Sequence, residues 1–460
     1  MSSIHIDSFA GRHVHFIGIG GISMSGLAEI LKMKGFTVSG SDLKATPITE
    51  RLRHNDIKVY IGHTAQNVKD ADLVVYTAAV KEDNPELVET IRQGIPSIDR
   101  ASLLGQIMES YEYSIGIAGT HGKTTTTSML SVILDKAGLD PTILVGGELD
   151  AIGGNVRIGQ SPYFVTEACE YVGSFLKSRP YMAVILNIDM DHVDYFRDIE
   201  HIYQTFLEYA RRVPESGYVI GCNDDPRVKR IMGEVKCRTV SFGLEPGADW
   251  TARDICYDEM GCASFNVIRH DYDMGKCKLK IPGRHNILNA LAAAAAAYAL
   301  GVSADTIIEG LLDFNGTHRR FEIKGKTEKG AVVIDDYAHH PTEIKATIKA
   351  ALNYPHKRIW CVFQPHTYSR TKQLFDEFTE AFWGIDHLVI ADIYAARETN
   401  TEGIHSKDLA DAIRRKGMDC IYIDGFDGIA SYLKQNTEAG DLIMTMGAGD
   451  IYQVADAIVI

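Results

Sequence analysis

Residues 113–125 read Tyr-Ser-Ile-Gly-Ile-Ala-Gly-Thr-His-Gly-Lys-Thr-Thr, and this stretch decides the fold. The segment up to Ala118 is apolar enough for a buried strand, Gly119 and Gly122 punctuate a turn, and a helical pattern runs on from Lys123. Strand, glycine loop and helix in that order point backbone N–H groups and the positive end of a helix at an anion. Lys123 adds a point charge, and a Thr hydroxyl at 124 or 125 can ligate Mg²⁺. Ile117 stands where the usual GxxxxGK[ST] spacing has its first glycine, so Gly119-Thr120-His121-Gly122-Lys123-Thr124-Thr125 is a shortened phosphate loop. A plain glycine turn with an exposed lysine is the alternative.

Upstream, the same rhythm appears once more. His13-Val-His-Phe-Ile-Gly18 is an apolar alternation, Gly18, Gly20 and Gly21 follow, and Ser23, Met24 and Ser25 open a helix that Gly35 ends. This resembles a dinucleotide fingerprint with Ser23 in the third glycine position, and Asp42, at the end of the next strand, could accept from a ribose or a base. A nicotinamide dehydrogenase would use the same pattern. Downstream, short apolar runs recur at 163–167, 181–188 and 218–222, then at 331–335, 358–363, 387–391, 420–423 and 441–445, separated by amphipathic stretches. Between Cys237 and Pro282 the helical period vanishes, which predicts a small β insertion, and the Ala-rich run 287–302 reads as a buried helix. The expected fold class is α/β in three domains. Residues 1–110 form a Rossmann-like unit, 111–318 a P-loop ATPase-like centre carrying the β insertion, and 319–460 a second Rossmann-like unit.

Composition agrees with that division. A chain of 460 residues, 45% hydrophobic and 23% charged, is long enough for two to four ordinary globular domains at roughly 100–200 residues each. Lys+Arg 47 against Asp+Glu 61 leaves a net charge of −14 with no basic run, so neither nucleic acid nor an anionic membrane is an expected partner. Eight cysteines without a CxxC pair suggest reduced thiols in the cytoplasm, and the first residues lack the pattern of a signal peptide. No run is long and apolar enough for membrane insertion.

Other candidate residues sit where parallel strands end, and such ends share a crevice. Glu167, with Glu170 close behind, and His192, in Asn187-Ile-Asp-Met-Asp-His, could meet Thr124 around Mg²⁺. Asn286 and Asn289 precede the Ala-rich helix, and their amides could read a purine edge. Arg320, in Gly316-Thr-His-Arg-Arg, lies at the second domain junction, where it could reach a phosphate or form an interdomain ion pair. Asp336, His339, His366 and Arg370 follow two consecutive strands of the last domain and suggest half of a site that another domain completes.

Taken together, the strings GTHGKTT, EACE, NIDMDHVDYF, RHNILNA, GTHRRFE, DDYAHHPTE and FQPHTYSR resemble the Mur ligases almost from end to end. The resemblance implies ATP-dependent ligation of L-alanine to UDP-N-acetylmuramate through an acyl phosphate, with ATP and Mg²⁺, by a monomer or weak homodimer. It places Lys123 on the β/γ-phosphates, Thr124, Glu167 and His192 on Mg²⁺, Asn286 and Asn289 by adenine, Arg320 by the γ-phosphate, and Asp336 with His339 by the nucleotide. The loop Gly18–Ser25 would cradle the UDP diphosphate, Asp42 and His63 would flank the nucleoside, and His366 with Arg370 would orient the carboxylate or the alanine. Several Mur ligases use a carbamylated lysine after the DHxD segment; Asp191–Pro214 contains no lysine, in keeping with the alanine-adding branch. A recycling ligase that attaches a whole peptide shares the phosphate loop and is the alternative.

Overall fold

The structure, a computed structural model, describes residues 4–192, 194–396 and 398–460. Three sheets built from separate stretches of chain organise it. The first has five parallel strands in the order Lys58–Ile61, Thr37–Asp42, His13–Ile17, Leu73–Tyr76, Ser97–Asp99. The last has six strands, five of them parallel, with Glu322–Lys326 antiparallel at one edge. Between them stands a ten-stranded sheet with Tyr113–Ala118 near its middle. The chain is a three-domain α/β protein whose outer domains are Rossmann-like.

Parallel strands are covered by helices on both faces, so they need apolar side chains in both directions. Met182–Ile185 and Ile359–Phe363 are buried at every position for that reason. Helix Lys123–Lys136, which the phosphate loop leads into, packs against the Ala-rich helix Arg284–Ala299 in one core cluster. Ala292 to Ala297 are nearly inaccessible, and their short side chains let the helices approach closely. A Cβ on Gly310 of the helix Ala304–Asp313 would lie 2.8 Å from Ile133 Cα, so that helix also sits against the loop's helix.

The expected β insertion lies within the span that the sequence marks, Cys237 to Pro282. Trp250–Tyr257, Cys262–Arg269 and Tyr272–Pro282 form a meander that extends the central sheet itself. At the opposite edge a hairpin of Thr142–Leu149 and Gly154–Arg157 went unpredicted, because Gly146 and Gly147 interrupt its alternation. No described helix is long and apolar enough to cross a membrane.

The domains are pinned to one another by polar contacts. Asn155 of the central hairpin, fully buried, accepts from Arg51 at 2.5 Å and donates to the Ile22 carbonyl at 2.5 Å. On the other side, Thr342 donates to Asp189 at 2.7 Å and the His340 Nε2 lies 2.9 Å from the Met190 carbonyl.

Candidate active site

The phosphate loop has the geometry that its glycines permit. Gly119 and Gly122 take φ of 142° and 85°, and a Cβ at Gly122 would fall 2.6 Å from Asn289 Oδ1. Helix Lys123–Lys136 has Gly122 as N-cap and no side-chain cap, so its first N–H groups remain for a ligand. Asn187 holds the loop from below, accepting from His121 N at 2.8 Å and donating to the His121 carbonyl at 3.0 Å.

Lys123 folds back over the loop. Its ammonium donates to the Gly119 and Thr120 carbonyls and pairs with both oxygens of Glu170 at 3.0 and 3.1 Å. Burial works against its charge, but the adjacent carboxylate outweighs burial and raises the lysine pKa. Glu170, buried beside both Lys123 and His192 (3.9 Å), is a site residue to which the sequence assigned no role. The EACE string was its only signal.

Thr124 and Glu167 flank the same backbone segment. Glu167 Oε1 accepts from Gly146 N at 2.7 Å, and a Cβ on Gly147 would meet the Thr124 methyl at 3.2 Å. A Cβ on Gly146 would stand 2.8 Å from Glu167, so only glycine leaves room around that carboxylate. Hydroxyl, carboxylates and a single imidazole make an oxygen-rich donor set that suits Mg²⁺. A second cluster, His121, Asp189 and His340, brings its ligand atoms within 4.8 Å of one another. Its chemistry is different. Asp189 and Glu343 outweigh burial and push His121 up to about 9, so the ring is cationic and acts as an ion-pair partner.

A cavity of about 510 Å³ opens beside the loop. Gly122, Thr125, Asn286 and Asn289 of the central domain and Arg320 and Asp336 of the C-terminal domain all line it. Asn289 donates to Asn286 Oδ1 at 2.9 Å, which locks the two amides together. Asp336 accepts from the Phe321 and Ala338 amides, both at 2.8 Å, and burial pushes its carboxyl up to about 6 despite Arg320. The adjacent Arg319 takes the structural part, bonding Asp335 and the carbonyls of Gly447 and Gly449. His285, not singled out beforehand, also lines the cavity, and burial pushes it down to about 4.

The remaining expected residues are divided. His339 lies outside the cavity wall among the described residues; its Nδ1 stands 3.3 Å from Glu343, and burial lowers it to about 4. The Arg370 guanidinium is buried on Asp191 of the central domain at 2.9 and 3.1 Å and touches His366 Nδ1 at 3.0 Å, so it links two domains. Asp191 is held well below the usual carboxylate range; burial opposes this, but Arg370 and His192 outweigh it.

In the N-terminal domain, Asp42 Oδ2 accepts from Gly20 N at 2.9 Å, while Gly18 N and Ile19 N donate to the Ser41 carbonyl. His63 Nδ1 lies 3.0 Å from Ser41 Oγ, so glycine loop, Asp42 and His63 share one strand-end crevice. Ser23 Oγ accepts from Arg100 at 3.2 Å. Met24 is in the core and Ser25 Oγ donates to the Ile22 carbonyl, so the helical turn carries both side chains inward.

Comparison with known proteins matches residues 13–112 to the Mur ligase family, catalytic domain, 117–297 to the Mur ligase middle domain, and 319–449 to the Mur ligase, glutamate ligase domain. A UDP-N-acetylmuramate--L-alanine ligase of Acetivibrio thermocellus is 59% identical over 97% of this chain and 95% of its own. Its counterpart in Caldanaerobacter subterraneus is 56% identical over 98% of each chain. Among solved structures, the UDP-N-acetylmuramate-alanine ligase of Thermotoga maritima superposes with a TM-score of 0.83 at 28% identity, covering 97% of this chain and 98% of that one. A murein peptide ligase from Psychrobacter arcticus reaches 0.75 at 26% identity, covering 97% and 98%.

Proposed function

This chain belongs to the Mur ligase family, and from that premise we propose that it is the ATP-dependent enzyme joining L-alanine to the lactyl carboxylate of UDP-N-acetylmuramate, a cytoplasmic step of peptidoglycan precursor synthesis. One observation carries the reading. The phosphate loop of the central domain and Arg320 of the C-terminal domain line the same cavity, so a nucleotide triphosphate held there touches both domains at once.

The chemistry needs that arrangement. A carboxylate attacking ATP meets like charge, so cations must gather as the groups align. Lys123 leaves Glu170 for the β/γ-phosphates, Arg320 takes the γ-phosphate, and Asn286 and Asn289 hold the base. Thr124, Glu167 and His192 would hold Mg²⁺, which supplies charge neutralisation across the phosphates. The lactyl carboxylate takes the γ-phosphoryl group to give an acyl phosphate and ADP, and the alanine amine then displaces phosphate from the acyl carbon. An acyl phosphate hydrolyses in water, and the Arg370–Asp191 clasp keeps the C-terminal domain closed over it. The Gly18–Ser25 loop, Asp42 and His63 hold the UDP moiety.

The test is phosphate release from ATP with UDP-N-acetylmuramate and either single amino acids or the L-alanyl-γ-D-glutamyl-meso-diaminopimelate tripeptide. Release driven by L-alanine is expected. Release with the tripeptide alone would overturn the reading in favour of a peptide-adding recycling ligase.

A further inference from the structure

One face of the N-terminal sheet carries a continuous polar ladder. Val14 and Phe16 point into the main core of that domain, so His13 and His15, alternating with them, leave from the opposite face. The neighbouring strand sets Ser39 beside His15 in register. His13 Nε2 and His15 Nδ1 each lie 2.8 Å from Ser39 Oγ, and His15 Nε2 stands 3.7 Å from Glu86 Oε2. Ser41 Oγ donates to that same oxygen at 2.5 Å, and Asn67 donates to Oε1 at 2.5 Å. The ladder ends at His63, whose Nδ1 is 3.2 Å from Glu86 Oε2 and 3.0 Å from Ser41 Oγ.

Glu86 is wholly inaccessible, in the first turn of helix Pro85–Gln93. Burial alone would raise its pKa; hydrogen bonds from Ser41 and Asn67, with the His15 ring 3.7 Å away, outweigh burial and keep the carboxylate ionised. A buried charge is a poor way to stabilise a fold, since well-packed apolar side chains serve at least as well. This one gathers the ends of the strands that form the nucleotide-sugar crevice. A carboxylate and a hydroxyl facing Nδ1 keep the ring proton on that nitrogen, so Nε2 is the nitrogen left to a ligand.

We propose that Glu86 is a positioning residue for the nucleotide-sugar: acting through Ser41 and His63, it fixes the tautomer and angle of the imidazole that meets the nucleoside diphosphate. The proposal rests on the reading of the N-terminal crevice as the UDP-sugar site. Glu86 itself touches no substrate.

The test is a double-mutant cycle on the full-length enzyme, with Glu86→Gln, His63→Ala and the pair, reading KM for UDP-N-acetylmuramate, KM for ATP, kcat and melting temperature. Each single change should raise KM for the UDP-sugar about tenfold, as loss of one charge-assisted hydrogen bond does, with KM for ATP unchanged. The double variant should be no worse than His63→Ala alone. Multiplying effects, or a rise in both KM values with Glu86→Gln, would reduce Glu86 to a structural role and overturn the proposal. Should Glu86→Gln fail to fold, Ser41→Ala removes one leg of the same link; its KM effect should disappear in the His63→Ala background, and persistence there overturns the proposal equally. An unchanged UDP-sugar KM in His63→Ala strikes at the site reading itself, a failure distinct from multiplying effects.

Discussion

The chain uses strand, glycine loop and helix twice, at Gly18–Ser25 and at Gly119–Thr125, and it equips the two differently. Both helices begin on a glycine N-cap without a side-chain cap, which leaves backbone N–H groups for phosphate oxygens. The first loop is braced by an acid: Asp42 accepts from Gly20 N, and no lysine lies between Gly18 and Ser25. The second carries Lys123, paired with a buried Glu170 at 3.0 Å. A diphosphate that is only held needs fixed dipoles, whereas a phosphoryl group that moves needs a cation placed where charge develops. On the proposed function, the same local fold therefore separates into a grip and a reaction centre through two side chains.

Breaking the reaction centre gives the largest effect. Lys123→Ala should lower kcat by on the order of a thousandfold, the scale of losing a preorganised charge at a transition state, while calorimetric affinity for UDP-N-acetylmuramate stays unchanged. The variant also strands the Glu170 carboxylate in the interior, so its melting temperature should fall. Adding Glu170→Gln should restore the melting temperature without restoring turnover. Turnover near the native rate in Lys123→Ala would erase the distinction between the two loops.

The reach of the sequence follows from what is local. Glycine loops bounded by a strand and a helix were legible because each requirement, a positive φ, a close approach or an uncapped helix start, is written within a few residues. Parallel strands such as Ile359–Phe363 were legible because burial on both faces leaves an unbroken apolar run. The inward turn of the Met24 side chain was less legible, because the helical period and not the loop motif decides where a side chain at the start of a helix goes. The Arg370–Asp191 clasp and the Glu86 ladder had no local mark at all. Their partners come from distant stretches, and only the docking of domains or the register of strands brings them together.

Loosening the grip gives a middle-sized effect confined to one substrate. Asp42→Ala removes the acceptor that braces Gly20, and losing one such bond costs about 1–2 kcal/mol. KM for UDP-N-acetylmuramate should rise roughly five- to thirtyfold, with KM for ATP unmoved. Equal rises in both would mean that Asp42 supports the domain rather than its loop.

The smallest effect separates the loops by pH. His121, in the reaction-centre loop, is raised to about 9 by Asp189 and Glu343, which outweigh burial, and it faces the C-terminal domain through Glu343 at 3.2 Å. A histidine whose pKa is higher folded than unfolded adds stability that is complete below about pH 6.5 and is lost as pH rises through 9. His339 and His340 share the cluster with Asp191, and burial holds both below their usual value, so their contribution fades on the acid side instead. Above pH 6.5 the decline belongs to His121 and, at the domain junction, to His318, which Asp150 and Glu322 raise against burial. The ligand-free enzyme should lose a few degrees of melting temperature over that window, and His121→Gln should flatten the slope, whereas Asp42→Ala should leave it intact. An unchanged slope in His121→Gln would show that the clasp between the domains does not depend on a charged ring.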